Sequence, residues 1–257
     1  MTDTEARALR TVVVRRYVTP LREGGSMPAV VEADDLGLYV LKFRGAGQGV
    51  RALIAEIISG EMARALGLPV PEIVLAELDA ELARTEPDPE IQDLIRASGG
   101  LNVALDYLSG ALNFDPAVDE MTADFATRLV WLDAFTSNVD RTARNTNLLM
   151  WHRRPWLIDH GASLTFHHAW NGTVADPGKP FAPIAEHVLL ARADALARLD
   201  AELAGQLTPE VLRAVVARVP PGFLAEAGVS AQAYVDYFAA RLADRARWLQ
   251  GAIDARA

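Results

Sequence analysis

Three oxygen-bearing side chains flank a short apolar run in the second half of the chain. Asp140 and Asn145 stand five apart in "NVDRTARN", and Asp159 closes "PWLID", fourteen residues beyond Asn145. If "NLLMW" (147–151) and "PWLID" (155–159) pair as a hairpin, the loop before the first strand meets the end of the second. One carboxamide and two carboxylates then converge. These are hard oxygens of the kind magnesium takes, one or two from carboxylates and the rest from water and phosphate. A carboxylate left over can orient or deprotonate an attacking hydroxyl. Taken singly, Asp140 and Asn145 are better explained as turn caps and Asp159 as the start of the loop that follows. Their order and spacing together favour a metal site.

A second group lies earlier. Lys42 sits mid-strand in "LYVLKF" (38–43), and regular alternation puts it on the face of Val40, opposite Leu41 and Phe43. Such a lysine either snorkels at a strand edge or projects into a cleft toward a phosphate. Lysine occurs only at Lys42 and Lys179, the other basic residues being arginine, so a retained lysine is a mild sign that a compact ammonium is needed. Glu56 follows on a helix beside Gly60 and Ala63, and a Lys–Glu pair from strand to helix would hold the ammonium over a nucleotide's phosphates. Glu61, nearer the apolar face, is a rival partner. "REGGSMP" (22–28) offers the backbone N–H groups of Gly24 and Gly25 and the hydroxyl of Ser26 to phosphates, although a Gly-Gly pair is more often only a turn.

The elements that must carry these residues change character along the chain. Strands are expected at 11–18, 29–33 and 38–43, a helix at 50–67, a strand through 68–78, a polar and loosely helical excursion over 79–100, and a strand at 101–108. A helix over 119–138 precedes the hairpin. Helices are expected at roughly 184–205, 208–218 and 230–252. The order is a mostly β half and then a mostly α half, an α+β arrangement of two lobes with a cleft for ligand between them.

Bulk composition narrows the functions. With 257 residues, half of them apolar, there is ample material for a core. A net charge of −9 opposes a nucleic-acid surface. The absence of cysteine removes disulfides and thiolate chemistry. There is no apolar signal core at the N-terminus and no run approaching the roughly 18 apolar residues of a membrane span, so a cytoplasmic protein without membrane insertion is expected. The five histidines, His152, His160, His167, His168 and His187, form no familiar zinc spacing, and the tryptophans are most simply core.

In this order the motifs resemble the HipA-like kinases, with a similarity to the phosphoinositide kinases. That family follows its strand lysine with a helix of the form E-x(5–6)-L-A-x-x-L-G-L-x-V-P. Here "EIISGEMARALGLPVP" begins at Glu56, with Met62 at the leucine position. The catalytic loop, Asp and then Asn five later, matches Asp140 and Asn145, and the metal-binding Asp matches Asp159 in "PWLIDHGASL". The resemblance covers roughly residues 10 to 165. It implies a protein-kinase-like fold with a β-rich N-lobe (1–112) that binds nucleotide phosphates and a helical C-lobe (113–257) that carries the catalytic and metal-binding loops. It also implies ATP and Mg²⁺ as cofactors, with Gly24, Gly25, Ser26 and Lys42 binding nucleotide and Asn145 and Asp159 holding metal. Asp140 becomes the catalytic carboxylate, supported by Lys42 and Glu56. The acceptor is a protein Ser/Thr hydroxyl by this resemblance, and a lipid or small molecule by the similarity to other branches. A nucleotide-binding pseudokinase with a regulatory role is the remaining alternative.

Two departures matter. Thr142 stands where the usual protein-kinase loop has a lysine, and Arg144 is the nearest substitute for its charge. HipA-type toxins carry a further N-terminal subdomain, while about ten residues precede the first strand here, so toxin activity and an antitoxin partner are not carried over. Asn147 adds an amide to which no role is assigned.

Overall fold

A computed structural model describes the chain at residues 8–21, 27–170 and 176–257. Five strands, β1 (Thr11–Pro20), β2 (Ala29–Ala33), β3 (Leu38–Lys42), β4 (Ile73–Leu78) and β5 (Gly100–Asp106), close a barrel in the order β1-β2-β3-β5-β4. All pairings are antiparallel except β1 with β4, which is parallel and seals the ring. Period-2 alternation sorts the side chains. Val12, Val14, Leu41, Phe43, Val74, Ala76 and Ala104 share the barrel's own core.

The polar excursion after β4 is largely exposed, yet it is ordered and docked on the barrel. It forms a 3₁₀ turn (Ala80–Thr85) and helix α2 (Pro89–Ala97). Asp79 and Asp88 cap their first turns, accepting the N–H of Glu81 and Glu90. Ala83, Ile91 and Ile95 are buried in the barrel core; three apolar residues suffice to dock an otherwise polar segment.

Helix α1 (Val50–Ala65) lies between β3 and β4 in sequence and is buried nearly all round, Glu56 and Glu61 included. A helix without a wet face belongs inside a larger core. Ile54, Ile57, Ile58 and Met62 share one cluster with α3 (Ala123–Thr136) and the helices that follow. A small sheet, β6 (Leu112–Asn113), β7 (Leu148–Trp151) and β8 (Arg154–Leu157), includes the expected hairpin.

The helical remainder is more broken than its apolar periodicity suggests. The segment expected as one helix over 184–205 contains 3₁₀ turns at Ala182–Glu186 and Leu190–Arg192 before α4 (Leu196–Gln206). Tertiary bonds account for this. His187 forms a bridge with Thr142, the N–H of Val188 donates to the Arg141 carbonyl, and His187 Nδ1 accepts the N–H of Leu189. Each of these competes with a helical bond. Then come α5 (Pro209–Val216), α6 (Pro221–Ala227), α7 (Ala231–Ala243) and α8 (Arg245–Arg256), the last two splitting the run expected over 230–252. Buried Arg241 donates to the carbonyls of Ala134 and Phe135, satisfying the C-terminal end of α3. Of the tryptophans, Trp131 and Trp248 are core, while Trp151, Trp156 and Trp170 are half-buried. No helix among the described residues is long and apolar enough to cross a membrane.

Candidate active site

A cleft of about 1570 Å³ separates the barrel from the loops at the C-terminal end of α3, and Lys42, Glu56, Asp140, Asn145 and Asp159 all line it. Residues from segments far apart in sequence therefore face one space. Gly24, Gly25 and Ser26 lie outside the described residues.

The loop around Asp140 rests on a buried foundation. Asp133, in the last turn of α3, accepts from Arg141 Nε at 2.6 Å and His187 Nε2 at 2.9 Å through one oxygen, and from Asn138 Nδ2 at 3.2 Å through the other. His187 Nδ1 accepts a backbone N–H and the carboxylate can only accept, so the proton of this imidazole is on Nε2. Burial pushes the Asp133 carboxyl up, but Arg141 and His187 outweigh it and hold it at about 2. Arg141 is itself buried and donates onward to the carbonyls of Asn147 and Thr146. Sequence reasoning assigned no role to Asp133, Asn138, Arg141 or His187. The available signal was a carboxylate inside the apolar helix "LVWLDAF", which must find a cation if it is buried.

Asp140 inherits its position from this foundation. Its N–H donates to Asn138 Oδ1 at 3.0 Å, and its Oδ2 accepts Asn145 Nδ2 at 2.9 Å and Asn147 Nδ2 at 3.2 Å. Asn147 also donates to the Asp140 carbonyl. The amide without an assigned role thus fixes the candidate catalytic carboxylate from two sides, and it does so in a left-handed conformation, φ 47°. Because Asn145 turns its NH₂ toward a carboxylate, its carbonyl oxygen is left for a metal.

Across the cleft, Lys42 Nζ lies 2.9 Å from Asp159 Oδ2. Burial alone would lower the lysine, yet the charges of Asp159 and Glu56 raise it above its ordinary value. The expected strand-to-helix ion pair takes another form. Glu56 accepts the His160 N–H at 3.0 Å and faces His160 Nδ1 at 3.3 Å, acting on Lys42 through its charge. These contacts, with Lys42, offset the burial that would raise Glu56 and hold its carboxyl low. The rival, Glu61, pairs with Arg218 and Arg64, and burial raises its carboxyl.

The donor set suits a hard divalent cation. The Asp159 carboxylate is 30% exposed and the Asn145 amide is exposed, both on the cleft. Among the described residues no three His, Asp or Glu side chains form a closed metal cage. Two protein oxygens with room beside them are what magnesium uses when phosphate supplies the rest.

The sequence pattern of the HipA-like kinase family matches residues 13–221. No curated protein matches the chain. Among solved structures it is similar to the Helicobacter pylori proinflammatory kinase CtkA, with a TM-score of 0.51 and 12% identity over 95% of this chain and 98% of that one. It is also similar to the Golgi casein kinase with Mn/ADP bound, with a TM-score of 0.50 and 12% identity over 99% of this chain and 75% of that one. At such identity the likeness is one of fold, and both share the two-lobed kinase architecture seen here. The family pattern spans most of the chain: the protein belongs to the HipA-like kinase family and is a kinase-type phosphotransferase.

Proposed function

We propose that the protein transfers the γ-phosphoryl group of ATP, with Mg²⁺, to a hydroxyl group, and that the acceptor is a protein Ser or Thr. The observation that carries this reading is the meeting of Lys42, Asp140, Asn145 and Asp159 around one cleft. The N-lobe, residues 1–112, covers the nucleotide, and residues 113–257 present the acceptor side. The family resemblance gives Gly24, Gly25 and Ser26 the phosphate-binding role. Lys42 binds the α- and β-phosphates, and Asn145 and Asp159 hold the metal. Bound there, magnesium neutralises charge on the phosphate oxygens. Asp140 orients the acceptor hydroxyl and takes its proton as the oxygen–phosphorus bond forms and the bond to the ADP leaving group breaks. Arg144, exposed on the cleft beside Asn145, stands in for the lysine that Thr142 replaces. The acceptor class rests on the family resemblance.

Lys42 and Asp159 must part for each to meet its ligand. The Asp159 side is 30% exposed, and the charges of Glu56 and Asp140 that remain on Lys42 lessen the cost of parting the pair.

The test is a thermal shift with ATP and Mg²⁺ on the wild type and Asp159→Asn, followed by turnover of labelled ATP. A ligand that binds only the native state must raise Tm. A Mg²⁺-dependent rise in the wild type, lost in the variant and accompanied by turnover, supports the reading. Binding without turnover makes the protein a nucleotide-binding pseudokinase. The absence of any shift removes nucleotide from the account.

A further inference from the structure

Asp159 is a non-glycine residue in the left-handed region, φ 54°, and so is Leu164 at φ 56°. Such residues persist where the surroundings over-determine them. The six-residue turn from Asp159 to Leu164 is pinned along its length. Directly after Asp159, the N–H of His160 donates to Glu56 Oε2 at 3.0 Å, which fixes the peptide plane on the C-terminal side of the metal carboxylate. Since a carboxylate only accepts, His160 Nδ1 carries the hydrogen it directs to Oε1. The His160 carbonyl accepts both the N–H and the hydroxyl of Ser163, at 3.0 and 2.7 Å. That commits the Ser163 proton, so Ser59 of α1 is the donor in the 2.6 Å hydroxyl–hydroxyl bond. The turn ends where Leu164 donates to the carbonyl of Thr136 at the end of α3. Glu56, Ser59, His160 and Ser163 are all about 1% exposed or less.

We infer that Glu56 serves the metal side of the cleft through His160, and that His160, Ser59 and Ser163 are positioning residues that hold Asp159 in its metal-binding conformation. The inference rests on the kinase reading and deepens it, since it gives α1 a task beyond orienting Lys42. None of the four side chains needs to touch nucleotide or metal. Their effect reaches the metal through the backbone of Asp159. Gly60 lets α1 pack closely on β4, where a Cβ would lie 2.5 Å from Ile73 Cδ1, and a Cβ there would be in ordinary contact, 3.7 Å, with His160 Nδ1.

The test is Mn²⁺ binding, followed by electron paramagnetic resonance in the presence of a non-hydrolysable ATP analogue, on wild type, His160→Leu, His160→Asn and Ser59→Ala. Metal-free affinity for the analogue and Tm are measured alongside. Residues that orient a metal ligand typically cost ~10–100-fold in metal affinity when removed. His160→Leu should weaken Mn²⁺ by that order while leaving metal-free binding of the analogue unchanged. His160→Asn, which keeps an N–H donor near the place of Nδ1, should recover most of the loss, and Ser59→Ala should lose several-fold. Lower Tm with wild-type Mn²⁺ affinity in His160→Leu would make the cluster mere packing and overturn the inference. So would equal loss in the Asn and Leu variants. If His160→Leu does not fold, Ser59→Ala decides: unchanged Mn²⁺ affinity there overturns the inference. A wild type that binds neither analogue nor Mn²⁺ brings down the kinase reading itself, an outcome distinct from a wild type that binds while every variant binds as well.

Discussion

The two carboxylates that line the cleft, Asp140 and Asp159, are held in opposite ways. Asp140 is fixed by its own lobe. Its carboxylate takes two amide donors and its N–H is bonded, while the loop beneath it hangs on the buried Asp133–Arg141–His187 group. Asp159 has a fixed backbone, but its carboxylate is engaged by Lys42 from the barrel. The first arrangement is preorganised, and a group that must accept a proton gains from needing no rearrangement. The second is provisional: it keeps a lysine and a carboxylate paired until each finds its partner. On the proposed function, the carboxylate that takes the proton and the carboxylate that admits metal thus sit at different levels of stability in one cleft.

The largest effects should come from the carboxylates themselves, and they should differ in kind. Asp140→Asn should lower turnover by ~10²–10⁴, the usual contribution of a positioned general base, while Mg²⁺–ATP still raises Tm. Asp159→Asn should abolish turnover and the Mg²⁺-dependent shift together. Equal loss of metal-dependent binding in both variants would break the distinction between a fixed and an exchanging side. Steady-state turnover paired with thermal shift reads both quantities.

The foundation beneath Asp140 gives the next effect. Asp133→Asn leaves Arg141 buried without its counter-charge, a loss of ~3–5 kcal/mol in denaturant unfolding. The wild type should also show the corresponding acid dependence. Asp133 titrates at about 2 in the folded chain against an ordinary 3.8. Its contribution is therefore present in full above about pH 4 and is lost as pH falls toward 2, an amount of about 2 kcal/mol. In Asp133→Asn that part of the acid limb should flatten. An unchanged limb would move the source of acid sensitivity away from this side of the cleft.

How far all this is legible in the sequence depends on how local each cause is. The strand alternation around Lys42, the five-residue step from Asp140 to Asn145 and the hairpin leading to Asp159 are short-range patterns, and they led to the residues that line the cleft. What the sequence did not disclose was held by distant partners. His187 finds Asp133 across 54 residues, and His160 finds Glu56 across 104. The broken helices between 182 and 192 have the same cause, because the Val188 N–H goes to the Arg141 carbonyl and His187 pairs with Thr142, leaving short 3₁₀ bonds such as His187 N–H to the Ile184 carbonyl in their own turn. Periodicity records which residues are apolar and cannot say which carbonyl a given N–H will meet. Asn147 is the clearest case: its spacing from Asp140 is short, but its use depends on a left-handed backbone that nothing in its neighbours requires.

The smallest effect is the one that sharpens the comparison most. A double-mutant cycle on Lys42→Met and Asp159→Asn, measured by denaturant unfolding without nucleotide, should give a coupling of no more than about 1 kcal/mol, as for partly solvated pairs. Three features keep it low. The aspartate side chain is 30% exposed, so water screens the pair from its side although the lysine is only 11% exposed. Removing Asp159 does not orphan the ammonium, because Glu56 and Asp140 also raise its affinity for the proton. Removing Lys42 leaves Asp159 open to solvent on the cleft. The matching cycle on Asp133→Asn and Arg141→Met, where both partners are buried and Arg141 is left without a counter-charge, should give several times as much. Coupling of similar size in the two cycles would mean that the Lys42–Asp159 pair is a structural bond like the other, and ligand entry would then have to draw on some other movement in the cleft.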